Sequence, residues 1–510
     1  MKDIIELIYI ITQHQLPILN GRGQPLEKDT LIWRLFEGIR KGQFTSDEEA
    51  EKSLYPKEKG GANYRRLKAS LRDRMLSTIA LFEATSDNFS DYQRAYYDCH
   101  REWHIIKILI GQNANVAAME LAVKLLKKSQ KYEFTLITMD LASYLAYQYG
   151  LRESNDKKFK EANALYNQSR RINDAECLAE QLYNQLMVKV VNNRTANERV
   201  AQLAKSFYQQ IEKQLKTYSS YRLHLYGNML AILQYSSTHH FNEIIPICNQ
   251  AISFFESKPY VARIPLQLFY YHKMIGHIQL KNFEEGKQVM QYCLSMVDEG
   301  TFNWFRYMEL YVKLGFYTKE YEHGASIVQE VVSHPRFQFL PENVKEIWLI
   351  YKSFVSYLVK INFVRNGFLD FKLSKFINDT PIYAKDKSGM NIAIMVVRTI
   401  YLLAEKRYQQ VLDNVEGMDR YCSRHLRGEN LSRSYNFLKM LLQIPLGHFD
   451  PQLIEVKAAR YYSNLIEFPI QLSDQSYEIE VIPYEDLWEM TLNTIKSNQG
   501  NPILFDNTPR

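Results

Sequence analysis

The stretch Gly276-His277-Ile278-Gln279-Leu280-Lys281-Asn282-Phe283-Glu284-Glu285-Gly286 decides how the chain reads. An apolar helical pattern runs into the polar pair Lys281-Asn282. A second helical pattern then opens on an aromatic residue, with a small residue three positions on. A connection this short forces the two helices to lie antiparallel. The figure returns along the sequence, with units starting at Val116, Phe159, Val200, Phe241, Phe283 and Tyr321, spaced 43, 41, 41, 42 and 38 residues apart. Another unit starts at Tyr408, about two periods after Tyr321, and the one between is blurred around Phe363 to Phe376.

Aligned on these starts, the sequence forms columns. Three residues on stand Met119, Ala162, Leu203, Ile244, Gly286, Gly324 and Val411; seven on stand Val123, Tyr166, Phe207, Cys248, Met290, Val328 and Val415. Apolar or small residues at positions 0, 3 and 7 share one stripe of a helix. An apolar helix precedes each turn, as at Tyr144 to Gly150, Met229 to Leu233 and Tyr307 to Leu314. A helix pair of this size cannot bury its stripe alone, so neighbours must stack. Pro246 lies five residues into one second helix and is tolerated if that helix begins near Ile244 or Ile245.

On these residues the chain resembles the tetratricopeptide-repeat proteins, whose turn joins a first helix to an aromatic residue followed by a small one three positions later. Phe159 with Ala162, Tyr321 with Gly324 and the Gly276–Gly286 stretch match that turn, and the likeness covers roughly residues 95 to 460. It departs from the family in its period, about 41 residues against 34. The proline that closes the family's second helix is mostly missing, although His334-Pro335 fits one unit. The resemblance implies an all-α protein, an α-α superhelix or TPR-like solenoid of antiparallel helix pairs, over residues 91–465. A small helical module precedes it at residues 1–90, and an acidic tail follows at 466–510.

Composition agrees with helices. Of 510 residues, 46% are hydrophobic, which argues against disorder, while Gly (20) and Pro (15) are too few to punctuate a many-stranded fold. The five cysteines, Cys99, Cys177, Cys248, Cys293 and Cys422, are scattered and odd in number, which fits reduced thiols in a cytoplasm. No run of about 18 apolar residues suggests a membrane span.

The two ends differ in charge. Residues 1 to 90 carry four helical patterns, at Lys2 to Gln15, Lys28 to Gly42, Asp47 to Leu54 and Tyr64 to Ala84, with Ser46-Asp47-Glu48-Glu49 as a capping box. The fourth has Leu67, Leu71, Met75 and Ile79 on its apolar stripe and a basic face of Arg65, Arg66, Lys68, Arg72 and Arg74. A short helix, a turn and a basic helix form one route to DNA contact. Against it, the turn is long for a helix-turn-helix, and a solvated or internally paired face accounts for the charge as well. From Ile470 onward seven acidic residues face two basic ones, and the expectation is that this tail folds back on a basic surface, with its aromatic residues as an apolar anchor.

Chemistry of the catalytic kind is not signalled. There is no GxxxxGK[ST], no GxSxG and no HExxH, so neither a cofactor nor a metal is expected. His239-His240 sits in a repeat turn without a third ligand nearby in sequence, and Cys422 with His425 reads as structural. A binding surface is the better prospect. First helices line the concave face of such arrays, and here they offer Arg222, His224, Tyr226, Asn228, Lys273, Trp304 and Arg306. Arginine and aromatic residues dominate interface energies. The expectation is a cytoplasmic scaffold, not an enzyme, that takes a protein or peptide along its groove. The alternative is a transcription regulator whose residues 1 to 90 contact DNA.

Overall fold

The structure is a computed structural model. It describes all residues except 19–26, 28–29, 57–60, 81, 85–88, 193–197, 366–370, 380–387, 426–431, 468–479 and 499–510. It is all-α, about 82% helical, with no strand among the described residues. No described helix is long and apolar enough to cross a membrane. The chain divides into two compact units, Met1–Tyr132 and Glu133–Arg510. The division falls after Tyr132 and not near residue 90, so the helix that begins at the Val116 repeat start belongs to the first unit.

The first unit holds α1 (Lys2–Gln13), α2 (Leu31–Arg40), α3 (Asp47–Leu54), α4 (Ala62–Ile79), α5 (Asp91–Gly111) and α6 (Asn115–Lys131). Ser46 forms the capping box on α3, its hydroxyl accepting from Glu49 N. Ile4, Ile8 and Ile11 of α1, Leu35 and Ile39 of α2, and Leu67, Leu71 and Met75 of α4 bury one face of each helix in a common core. The carboxylate of Asp47 at the start of α3 accepts from the α-amino group of Met1 at 3.0 Å, the Tyr64 hydroxyl at 2.8 Å and Lys68 Nζ at 3.0 Å.

The second unit runs through α7 (Thr135–Leu151), α8 (Asp156–Asn192), α9 (Glu198–Thr217), α10 (Tyr221–Ser236), α11 (Phe241–Glu256), α12 (Arg263–Gln279), α13 (Phe283–Ser295), α14 (Phe302–Tyr317) and α15 (Tyr321–Ser333). After a short 3-10 turn follow α16 (Glu342–Lys360), α17 (Leu373–Asp379), α18 (Ser388–Ala404), α19 (Tyr408–His425), α20 (Ser432–Leu446), α21 (Pro451–Glu467) and α22 (Tyr484–Asn498). Neighbours in sequence pack as pairs: α10 with α11, α12 with α13, α14 with α15, α18 with α19, α20 with α21. First helices also touch first helices, α12 with α14, α16 with α18 and α18 with α20. This two-layer packing is compatible with a helical superhelix.

Every repeat start stands within the first four residues of a helix: α6, α8, α9, α11, α13, α15 and α19. The described turns before them, together with those that follow α16 and precede α21, share one backbone device. Asn113, Ser154, His239, Lys281, Lys319, Asn362, Lys406 and His448 have φ between 51° and 67°, the left-handed region. At Lys281 the device is a Schellman cap: Asn282 N donates to His277 O at 2.9 Å and Lys281 N to Ile278 O at 3.1 Å. The same long bond recurs from Phe363 N to Leu358 O at 2.9 Å and from Arg407 N to Leu402 O at 3.0 Å. Small residues at the third position have a steric reason. A methyl at Gly286 would stand 2.7 Å from Leu314 Cδ1, and one at Gly324 would stand 2.5 Å from Phe316 Cε1.

Two features differ from the sequence reading. The second helix of the unit starting at Phe159 and the helix that precedes the Val200 start are one unbroken helix, α8, 37 residues long. Ala175, Ala179, Leu182 and Leu186 of its later part form a core with α9 and α10. That part contains no Gly or Pro to stop the helix. And α11 begins at Phe241, so Pro246 lies inside it, in the second turn, where it forfeits one backbone bond.

Candidate partner-binding surface

The first-helix residues singled out in the sequence meet three fates. Four of them are tied within the fold around α10. Arg222 bridges to Glu176 at 3.4 Å and to Glu180, both on α8, and the Tyr226 hydroxyl donates to Glu180 Oε1 at 3.0 Å. Glu176 also accepts from Thr135 Oγ1 at 2.7 Å and from the Ser220 hydroxyl. Burial pushes the Glu176 carboxyl above its ordinary value, against these hydrogen bonds and the charge of Arg222. Beside it, Glu133 accepts from Tyr221 N at 2.7 Å and Lys258 Nζ at 2.6 Å. The His224 ring stacks on Phe254 at 3.8 Å, and Asn228 Nδ2 donates to His224 O at 2.7 Å. The polar contacts join α7, α8 and α10, and the His224–Phe254 stack adds α11.

Trp304 and Lys273 are not open on the surface. Trp304 is 5% exposed, packed against Phe305 and His334, because its position just after the Thr301 cap turns it into the core. Lys273 is half-buried, and its charge is felt by the thiols of Cys248 on α11 and Cys293 on α13.

Arg306 remains open, its side chain 54% exposed, with one contact of 3.3 Å to Glu309. Below it Glu309 accepts from Lys313 Nζ at 3.1 Å and from the Tyr351 hydroxyl of α16 at 3.5 Å. Burial alone would raise the Glu309 carboxyl; the charges of Lys313 and Arg306 outweigh it and hold it below its ordinary value. The half-buried Tyr271 of α12 senses both Arg306 and Glu309. Tyr271, Arg306, Glu309 and Tyr351 thus form a polar cluster on three successive first helices, exposed at Arg306 and fully buried at Tyr351.

Next to it the first-helix face is already occupied. The segment Glu480–Asn498 packs against α18, α20 and α21; its first residue meets Tyr317 of α14, and Asp486 meets Lys319 in the turn after α14. Arg433 of α20 holds Glu480 through two bonds, 3.0 Å from Nε and 2.7 Å from Nη2, and reaches Glu485 at 2.5 Å and Leu465 O at 3.2 Å. Glu480 in turn accepts from Tyr484 N at 2.7 Å, and its carbonyl accepts from the Tyr317 hydroxyl at 2.9 Å. The Tyr484 ring stacks on Phe437 at 4.3 Å and 8°. Asp486 pairs with Lys319 at 3.0 Å, and burial nonetheless raises its carboxyl. Leu487, Trp488, Met490, Thr491, Leu492 and Ile495 are all buried. A carboxylate clamp plus stacked aromatics is what holds this segment on the face.

In the first unit, α4 presents Arg65, Arg66 and Arg72 exposed, with Lys68 and Arg74 half-buried. Lys68 is taken by Asp47 at 2.9 Å, and Arg72 lies 3.8 Å from Asp3. No group of three His, Cys, Asp or Glu that could hold a metal occurs among the described residues. All five cysteines are free thiols, and only Cys177 is exposed. The side chain of His425 lies outside the described residues.

The sequence reading missed Glu176, Glu180, Glu309, Lys313 and Arg433. For the three glutamates a signal existed. Thr135 and Glu176 are 41 residues apart, Arg222 and Glu180 42, and Glu309 and Tyr351 42, so each pair is one repeat apart. No family model, curated protein or solved structure matches the chain.

Proposed function

We propose that residues 133 to 498 form a TPR-like solenoid that works as a scaffold, taking an acidic, aromatic segment of a protein partner on its first-helix face. One observation carries this reading: the chain's own Glu480–Asn498 segment is seated there, clamped through Arg433 and stacked on Phe437. Nearby on the first helix α14, Arg306 is open to solvent, with the half-buried Tyr271 of α12 within reach of its charge. Aromatic and arginine side chains are the groups that most often anchor a partner. The reading requires no cofactor and no reaction, which makes the chain a binding protein and not an enzyme.

Selection of displayed peptides on the immobilised full chain tests it. Enriched peptides should pair a carboxylate with an aromatic residue. Arg306→Glu should weaken them several-fold, most at low salt, with the melting temperature unchanged. Failure to enrich any such class, or equal capture by Arg306→Glu and Tyr271→Ala, would remove the patch from consideration.

A further inference from the structure

The outer face of α5 takes no part in the scaffold reading. This helix buries Ala95, Cys99 and Ile106 and packs against α6. On its other side stand His100 and His104, both exposed. They are four residues apart in the middle of a 21-residue helix. That spacing puts two side chains on one face, about 6 Å apart along the axis. The chain has twelve histidines, and these are the one pair of them three or four residues apart. The charges around them are balanced without their help. Arg101 is held by Glu83 at 2.6 Å and Asp98 at 3.2 Å, and Lys128 of α6 by Asp98 at 3.0 Å and Glu102 at 3.3 Å. Lys107 Nζ lies over the Trp103 ring, 4.9 Å from its centroid. The His100 ring rests against Tyr96, with 4.4 Å between centroids. Neither imidazole has a hydrogen bond or an ion pair among the described residues.

We infer that His100 and His104 form a surface site for a divalent transition-metal ion of the zinc, nickel or copper kind. Neutral imidazole is the nitrogen donor these ions favour, and two imidazoles one helical turn apart chelate a single ion. Calcium and magnesium do not suit the site, because they take oxygen ligands. No group of three His, Cys, Asp or Glu that could hold a metal occurs among the described residues, so water fills the remaining positions. A hydrolytic His-Glu-x-x-His helix carries its general base directly after the first histidine; here that residue is Arg101. The pair is therefore a binding site without the base that hydrolysis needs.

Isothermal titration of the full chain with Zn²⁺ tests the assignment. His100→Ala and His104→Ala should each cost at least about tenfold in affinity, because a chelate loses its advantage when either arm goes. The paired control His240→Ala, His448→Ala removes two exposed histidines elsewhere and should change nothing. A second readout leaves the ligands intact. Trp103 lies between the two histidines on α5, so one equivalent of Cu²⁺ should quench part of the tryptophan fluorescence, and Trp103→Phe should abolish that quench. Absence of saturable Zn²⁺ binding by the wild-type chain would overturn the proposal. So would losses of only about twofold in the single variants, the result for two imidazoles acting separately. Equal loss in the control, or an undiminished quench in Trp103→Phe, would do the same. None of these outcomes touches the peptide selection above, which reads the second unit.

Discussion

Two stretches of the second unit use arginine on a first helix in different ways. Around α10, Arg222 reaches back to α8 and fastens one helix to another. Around α20, Arg433 reaches into the first-helix face and fastens a segment from far along the chain. Arg222 is 35% exposed and shares its carboxylates with hydroxyl donors; Arg433 is 7% exposed and is the only cation bonded to Glu480 and Glu485 among the described contacts. The first is a strut within the stack, the second a clamp on something resting against it. Arg306, paired with Glu309 and 54% exposed, is the first-helix arginine on which the proposed partner binding rests.

The clamp should break most expensively. Arg433→Met leaves Glu480 buried with its cation gone, and the expected loss is about 3–5 kcal/mol, since removing one partner of a buried pair strands the other. Urea denaturation checks it, and Glu480→Gln in the same chain should recover part of the loss. A loss below about 1 kcal/mol would erase the distinction between clamp and strut.

The strut should show a smaller effect, and one that depends on pH. Burial raises the folded-state carboxyl of Glu176 above its unfolded value. A raised value means that its stabilising contribution is fully present below the ordinary carboxylate range and fades as pH rises through the folded value. Glu176→Gln keeps an acceptor and removes this titration. Melting temperatures measured from acid towards neutral pH should therefore decline less in the variant. Parallel curves would show that Arg222 and the hydroxyls already neutralise the site.

The repeats were legible because the chain marks each start three ways: a short polar turn, an apolar or aromatic residue, and a small or apolar residue three positions on. Phe241, Phe283 and Tyr321 are the first residues of their helices. The turn device itself was hidden, because its left-handed position is filled by Lys281, Lys319, Lys406, His239 or Asn362, where glycine would have announced it. The fused α8 was hidden too, since an unbroken helical pattern looks the same whether it serves one unit or two. For the surface, residue type did not give direction: Trp304 turns inward, and 3.6-residue periodicity alone does not say which neighbour a side chain meets. The acid excess after Ile470 pointed to a segment that seeks a cation, while Arg433 stands 47 residues before Glu480, too far for any local pattern.

Amide hydrogen exchange of the full chain, followed by peptide mass spectrometry, addresses the resident segment directly. If Glu480–Asn498 occupies the first-helix face, amides of residues 484–498 exchange as slowly as those of α18 and α20, and all three accelerate together in Arg433→Met. Exchange of 484–498 at the rate of a free peptide, with α18 and α20 still protected, would mean that the face is empty and that the proposed mode of partner capture has no precedent in this molecule.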